Sequence, residues 1–386
     1  MTTLDTIYLD HNATTPIHPE VAEAIHRCHA AGHANPASQH RSGRSARHVL
    51  ENAREQVAEL LGARLAHPNP DRLVFTSGGT ESNNLAVLGI CRARGPEPGQ
   101  LVISAMEHPC VIEPAQYLLE RGWRLDTLSV DLNGTVRAEQ LAGLLGARTR
   151  LVSVMLGNHE TGVLQPVAAM AALCASAGVP IHTDAVQVAG KLPIDFRALG
   201  VSALSVAAHK FRGPVGIGAL LLRHDAAVAP VLFGGHQQGG GRPGTESVAL
   251  AVGMAKALEL WHRDHHAHQR HLTQLRDRLE SGLHAGRAGV VVHGRAAQRL
   301  PHTSNVAFPG LDGQTLLMAL DMAGVACSVG SACSSGSTEL SPTLQAMGLP
   351  NDLVRSSLRF SVGATNTPDE IDEAVRRILH VCRELT

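Results

Sequence analysis

The chain has 386 residues, 44% hydrophobic and 17% charged, with a formal net charge of −1 at pH 7. That length exceeds one comfortable core and sets two domains as the expectation, while the composition excludes a disordered or fibrous chain. With no net basic character and no basic run, a nucleic-acid or anionic-membrane partner has no electrostatic support.

The N-terminal stretch MTTLDTIYLD has neither a basic n-region nor an apolar stretch of signal length, and no apolar run reaches bilayer length, so a cytoplasmic protein is expected. From about residue 70 to 225, short apolar runs alternate with helical patterns. RLVFTS, QLVISAM, LVSVML, VPIHTDA, ALSVAA and GALLLR read as buried strands, with crossing helices beginning near Glu81, Cys110, Val136 and Val167. This alternation predicts an α/β fold with a mainly parallel sheet between helices, in which sites lie at the carboxyl ends of the strands. After the Gly-rich FGGHQQGGGRPGTES, a helical pattern runs from about Thr245 to Leu283. Then come VVVHG, SNVAF, a helix near Leu316 to Ala323, the segment SVGSACSSGS, the strand LRFSVG and a last helix. Thr367 as N-cap, Pro368 at the first helical position and Asp369 and Glu370 against the dipole mark that helix's start. A second, smaller α/β domain follows from these elements.

Histidines 262, 265, 266, 268 and 271 cluster in WHRDHHAHQRH, with His262 and His266 four apart. No acidic or cysteine partner completes a ligand set, so they read as an exposed helix face and no metal is assigned. The seven cysteines are odd in number and lack the paired short spacing of a zinc site, and they read as reduced thiols. Six of them, Cys110 and Cys327 included, read as structural. Cys333 differs, because its neighbours are glycine, alanine and serine; a thiol on so soft a segment is there for reactivity rather than volume. Only Lys191, Lys210 and Lys256 are lysines in this arginine-rich chain, and a primary amine can form a Schiff base where a guanidinium cannot.

In FTSGGTESNN a strand runs through Gly78 and Gly79 into a helix opening at Thr80, and the free N–H groups of such a helix start bind phosphate. Asp184 ends the strand IHTDA, where a carboxylate can face a protonated pyridine nitrogen. His209 and Lys210 end the strand SVAAHK, which makes Lys210 a Schiff-base candidate. Phosphate cradle, carboxylate and lysine are the three contacts that pyridoxal 5'-phosphate requires.

Set beside these, YLDHNATTP, ANPASQHRSGRSAR, TSGGTESNN, EHPCV, HETGVLQPV, HTDAVQVAGKLPID, AHKFRGPVGIGAL, RPGTES, SVGSACSSGS and SSLRFSVG run in order along nearly the whole chain. The chain resembles cysteine desulfurases of the NifS/IscS type, in the class V aminotransferase family of fold-type I pyridoxal phosphate enzymes. The resemblance implies a large cofactor-binding domain over residues 15–260 and a small domain from residues 1–14 and 261–386 that carries the cysteine loop. It implies that Lys210 holds the cofactor, Asp184 meets its pyridine nitrogen, Gln187 its phenolic oxygen, and His108 stacks on the ring and assists proton transfer. Gly79, Thr80 and His209 would bind the phosphate, joined by Thr245 from the other subunit of a homodimer. Arg359 would grip the carboxylate of L-cysteine with Asn12 nearby, Lys210 would take the Cα proton, and Cys333 would receive the sulfur as a persulfide for an acceptor such as an iron–sulfur scaffold or a thiolation protein.

Two positions depart from the family pattern. His159 stands where a second asparagine usually contacts the phenolic oxygen, and Ala207 replaces a phosphate-binding serine three residues before the lysine. Selenocysteine lyase shares most of these motifs, and a non-catalytic sulfur-relay partner is the reading from another class.

Overall fold

The strands that end at the candidate site belong to one seven-stranded sheet. A computed structural model of the protein describes residues 5–66, 68–330 and 340–386; Cys333 lies outside the described residues. The strands in chain order are β1 Ile7–Tyr8, β2 Arg72–Thr76, β3 Gln100–Ser104, β4 Arg124–Leu128, β5 Thr149–Ser153 and β6 Ile181–Asp184. They continue as β7 Ala203–Ala207, β8 Gly218–Leu222, β9 Val291–Val292, β10 Thr303–Ala307, β11 Val325–Ala326 and β12 Ser357–Ser361. The large sheet has the order β2-β8-β7-β6-β5-β3-β4, and every pairing is parallel except the two that β8 makes.

Every residue of β3, β7 and β8 is buried, as expected of strands covered on both faces. On one face, Leu85 and Ile90 of the helix Gly79–Ala93 and Val111 and Leu118 of the helix Pro109–Leu119 pack with Leu101 and Leu220. On the other, the helices Arg41–Leu60, Val167–Ser176 and Val248–Gly286 contribute Leu50, Val57, Met170 and Met254 to a core with Val102, Val152 and Leu204. A separate core gathers Leu272, Leu275 and Leu279 of the helix Val248–Gly286, Phe308, Phe360, and Ile371 and Ile378 of the last helix. It lies with the antiparallel sheet β12-β10-β9 and the parallel pair β1-β11. The last helix, Pro368–Glu384, starts with the expected cap: Thr367 Oγ1 accepts from Glu370 N–H, and the Glu370 carboxylate accepts from Thr367 N–H at 2.9 Å.

Three local readings change. No long helix begins near Val136; a 3₁₀ turn spans Ala138–Gly143, where Gly143 and Gly146 disfavour longer helix. β4 escaped the sequence reading because it is an edge strand of mixed polarity, closed by the Arg124–Asp126 ion pair at 2.7 Å. The histidine cluster is not a uniformly exposed face. The long helix departs from helical geometry at Asp264, so His262 and His266 are exposed while His265, His268 and His271 are half-buried. His271 Nε2 lies 3.1 Å from the Asn366 carbonyl.

Candidate active site

A cavity of about 210 Å³ opens at the carboxyl ends of the parallel strands. Asp184 is the last residue of β6, His209 and Lys210 follow β7, His108 follows β3, and the Gly78-Gly79 turn follows β2. The turn is tight: a Cβ on Gly79 would come within 2.9 Å of Val186, and one on Gly218 of β8 within 2.7 Å of the Gly78 backbone. Glycine at these positions lets the helix Gly79–Ala93 begin against the cavity, with its first N–H groups and dipole directed at it. Thr80, Ala207 and His209 line the same end. Burial, with Lys210 and Lys191 nearby, pulls the His209 imidazole down to about 4, and its Nδ1 lies 3.1 Å from Thr14 Oγ1.

Asp184 is buried, with Oδ1 accepting from Val186 N–H at 2.9 Å and Oδ2 from Asn83 Nδ2 at 2.5 Å. Burial pushes its carboxyl up, opposed by the Val186 N–H, His108, Asn83 and Lys210. A cationic ring nitrogen in the cavity would oppose it further and hold the carboxylate ionised. Lys210 Nζ donates to the carbonyls of Asn12 at 2.5 Å and Ala13 at 2.8 Å. The other lysines have separate tasks. Lys191 is buried and donates to the Lys210 carbonyl, with burial and Lys210 pulling its amine down to about 7. Lys256 pairs with Glu259 at 2.9 Å on the surface of the long helix.

Arg359, in β12, is 2% exposed; Nη2 donates to Asp10 Oδ1 at 2.7 Å and Nη1 to the His159 carbonyl at 3.1 Å. Asn12 Nδ2 donates to the same carbonyl at 3.1 Å and to Thr303 Oγ1 at 3.0 Å. The backbone of Arg359 pairs with Ser328, and Ser341 Oγ donates to Glu160 Oε2 at 2.6 Å. The described residues on either side of 331–339 are thus tied to Arg359 and to Glu160, the neighbour of His159.

His108 caps the helix Pro109–Leu119, its Nδ1 accepting from Cys110 N–H at 3.2 Å. Glu107 anchors it from behind, with Oε1 accepting from Ser104 Oγ at 2.5 Å and Met155 N–H at 2.8 Å. Burial pulls the His108 imidazole down, Asp184 opposes this, and Lys210 and Arg359 add to it. The His108 and His159 rings meet edge to face, with centroids 5.2 Å apart.

Every candidate residue read from the sequence lines this cavity apart from Thr245 and Cys333. Thr245 lines a separate groove with Ser77, Gln238 and Arg242, and Cys333 lies outside the described residues. The sequence reading missed two residues. Asn83 sits one turn after Thr80 on the same helix face, a spacing that could have revealed it. Cys110, read as a packing thiol, is corrected to a cavity-lining one with Sγ 2.9 Å from His108 Nδ1; its place after the helix cap carried no signal in the sequence. Cys327 packs against the small core, and burial pushes its thiol strongly up.

The cavity accepts a ligand of the expected kind. Gln187 Oε1, His159 Nδ1 and Asn83 Oδ1 are buried there without hydrogen-bond partners, a polar lining that asks for a polar occupant. Helix start, carboxylate and lysine amine border one space, and the residues present fit pyridoxal phosphate. Among the described residues, no helix is long and apolar enough to cross a membrane, and no three His, Cys, Asp or Glu side chains form a metal-binding group.

The model of the aminotransferase class-V family matches residues 7–374. The IscS-like cysteine desulfurase of Mycobacterium tuberculosis is 43% identical, with 95% of this chain and 94% of the relative aligned. The cysteine desulfurase NifS of Azotobacter vinelandii is 38% identical over 98% of this chain and 93% of its own length. A solved structure described as a NifS-like protein superposes with a TM-score of 0.90 at 32% identity, covering 98% of this chain and all of the other.

Proposed function

Because the chain belongs to the aminotransferase class-V family and is a pyridoxal phosphate-dependent cysteine desulfurase, we propose that Lys210, Asp184, His108, Arg359 and Cys333 divide the work as follows. Lys210 holds the cofactor, and Asp184 and Gln187 hold its ring, with His159 beside them. Gly79, Thr80 and His209 hold its phosphate, and Thr245 completes the cradle from the second subunit of a homodimer. Bound there, the cofactor supplies an electron sink that makes the Cα–H and C–S bonds of cysteine labile.

The chain's own groups do the rest. Arg359 and Asn12 receive the substrate carboxylate and fix which substrate bonds face Lys210 and His108. Lys210 Nζ takes the Cα proton. The Cys333 thiolate attacks the substrate sulfur: the S–S bond forms, the C–S bond breaks with its electron pair left on carbon, that carbon takes a proton, Lys210 returns to Cα the proton it took, and alanine leaves. Cys333 then carries a persulfide, which it passes to an acceptor protein of an iron–sulfur or thiolation pathway in the cytoplasm. Residues 15–260 serve as the cofactor-binding domain, and residues 1–14 and 261–386 as the domain that delivers Cys333. The ties of Ser328 to Arg359 and of Ser341 to Glu160 support this, since they hold those two described residues, one before and one after positions 331–339, beside Arg359 and the neighbour of His159.

The observation that carries this reading is the convergence of Lys210, Asp184, Gln187, His108, Asn12 and Arg359 on one cavity. Mass spectrometry of the enzyme after exposure to cysteine tests it, with alanine release measured alongside. A gain of one sulfur on Cys333 is expected. Labelling of Cys327 or Cys110 instead would overturn the assignment, and turnover confined to selenocysteine would reassign the substrate.

A further inference from the structure

Among the described residues, Cys110 is the one cysteine that lines the cavity, and it is bound into a chain of hydrogen bonds with a single direction. Asp184 Oδ2 accepts from Asn83 Nδ2 at 2.5 Å; the same amide nitrogen lies 2.9 Å from Cys110 Sγ, and Sγ lies 2.9 Å from His108 Nδ1. An ionised carboxylate only accepts and an amide NH₂ only donates. Asn83 therefore gives one hydrogen to Asp184 and the other to the sulfur. The sulfur accepts on that side, which leaves its own S–H to donate to Nδ1. The thiol keeps that hydrogen, because burial above all, with the carboxylates of Asp184 and Glu107, pushes it well away from ionisation. Nδ1 also accepts from the Cys110 backbone N–H at 3.2 Å. A ring nitrogen facing two donors carries no proton, so the proton of the neutral imidazole sits on Nε2.

We propose that Cys110 is a positioning residue that fixes His108 in its Nε2–H form and links it, through Asn83, to the carboxylate that meets the cofactor ring. The structural statement stands on the hydrogen bonds alone; its consequence rests on the reading of His108 as a proton-transfer residue. With Nδ1 occupied, forming the imidazolium breaks the bonds from Cys110. His108 accordingly begins the reaction as a neutral ring that donates a hydrogen bond at Nε2, and it can release that hydrogen only as Nδ1 takes the one held by Cys110 Sγ. The protonated thiol of Cys110 is also no competitor to Cys333 for sulfur, since only a thiolate attacks efficiently.

Long-range ¹H–¹⁵N correlation of the histidine rings tests this, in apoprotein and holoenzyme, with the His108 signals assigned by their loss in His108→Gln. The wild type is expected to show Nε2–H. Cys110→Ser, whose hydroxyl can donate in the same place, should retain it. Cys110→Ala, which keeps only the backbone N–H toward Nδ1, should increase the share of the Nδ1–H tautomer and raise the His108 pKa by roughly half to one pH unit, the equivalent of one lost neutral hydrogen bond. An Nδ1–H ring in the wild type overturns the proposal, as does Cys110→Ala indistinguishable from wild type. If the alanine variant fails to fold, the wild-type tautomer and the serine variant still decide. Full turnover by His108→Gln would defeat the catalytic reading of His108 while leaving the tautomer result intact.

Discussion

Replacing Arg359 by lysine keeps a positive charge at the substrate end but removes the fork that two acceptors now share. In the structure one arm of the guanidinium goes to Asp10 at 2.7 Å and the other to the His159 carbonyl at 3.1 Å, on a side chain only 2% exposed. A substrate carboxylate bound by Arg359 would share this group with Asp10, and a lysine ammonium lacks the planar fork that holds two acceptors in fixed directions. Losing one charge-assisted hydrogen bond costs about 1.5–3 kcal/mol, so carboxylate binding should weaken roughly 10- to 150-fold. L-Alanine is the suitable probe, because it has the carboxylate and amine of the substrate but no sulfur to transfer; its Kd follows from titration of the cofactor absorbance. Arg359→Lys should raise that Kd and the KM for cysteine, while kcat falls less. Asp10→Asn, which removes the competing charge and keeps its shape, should lower the alanine Kd. An unchanged alanine Kd in Arg359→Lys, with only kcat reduced, would refute the carboxylate role.

Reductive trapping of the cofactor should label Lys210. Lys191 is the rival amine, since burial pulls it down to about 7, but it does not line the cavity, and a label on Lys191 would overturn the assignment. Ala207→Ser restores a hydroxyl at the phosphate end and should tighten cofactor binding by about 1 kcal/mol, roughly fivefold, in titrations of apoprotein; weaker binding would refute the loss of a phosphate contact at this position. Stability should fall in acid through His182, which burial holds at about 3 and whose ring nitrogens lie 2.9 Å from Ser153 Oγ and 3.0 Å from Ser205 Oγ. Its folded pKa lies below the unfolded value of about 6.5, so the unfolded chain binds the extra proton. The stabilisation is present above about pH 6.5 and disappears as pH falls toward 3, with about 2 kcal/mol lost between pH 7 and 5. Urea unfolding at those two pH values should show a shallower dependence for His182→Asn, and an identical one would refute the argument.

What the sequence determined by itself is everything that depends on local pattern. Apolar runs such as GALLLR, the Gly-Gly turn before Thr80 and the cap at Thr367 each carry their physical cause within a few residues, so strands, strand-to-helix turn and last helix were legible. So were Asp184 and Lys210, because a strand's carboxyl end is a place defined along the chain. What the pattern could not supply is encounter between distant segments. β4 pairs only at an edge and needs no apolar signature, and Asp264 interrupts a helix that reads as continuous. Arg359 meets Asp10 across 349 positions, and Cys110 meets Asp184 only through Asn83, 27 residues before it and 101 before Asp184. A hydrogen bond depends on the final separation and direction of two atoms, and those are set by how the layers pack, after every local preference has already been spent.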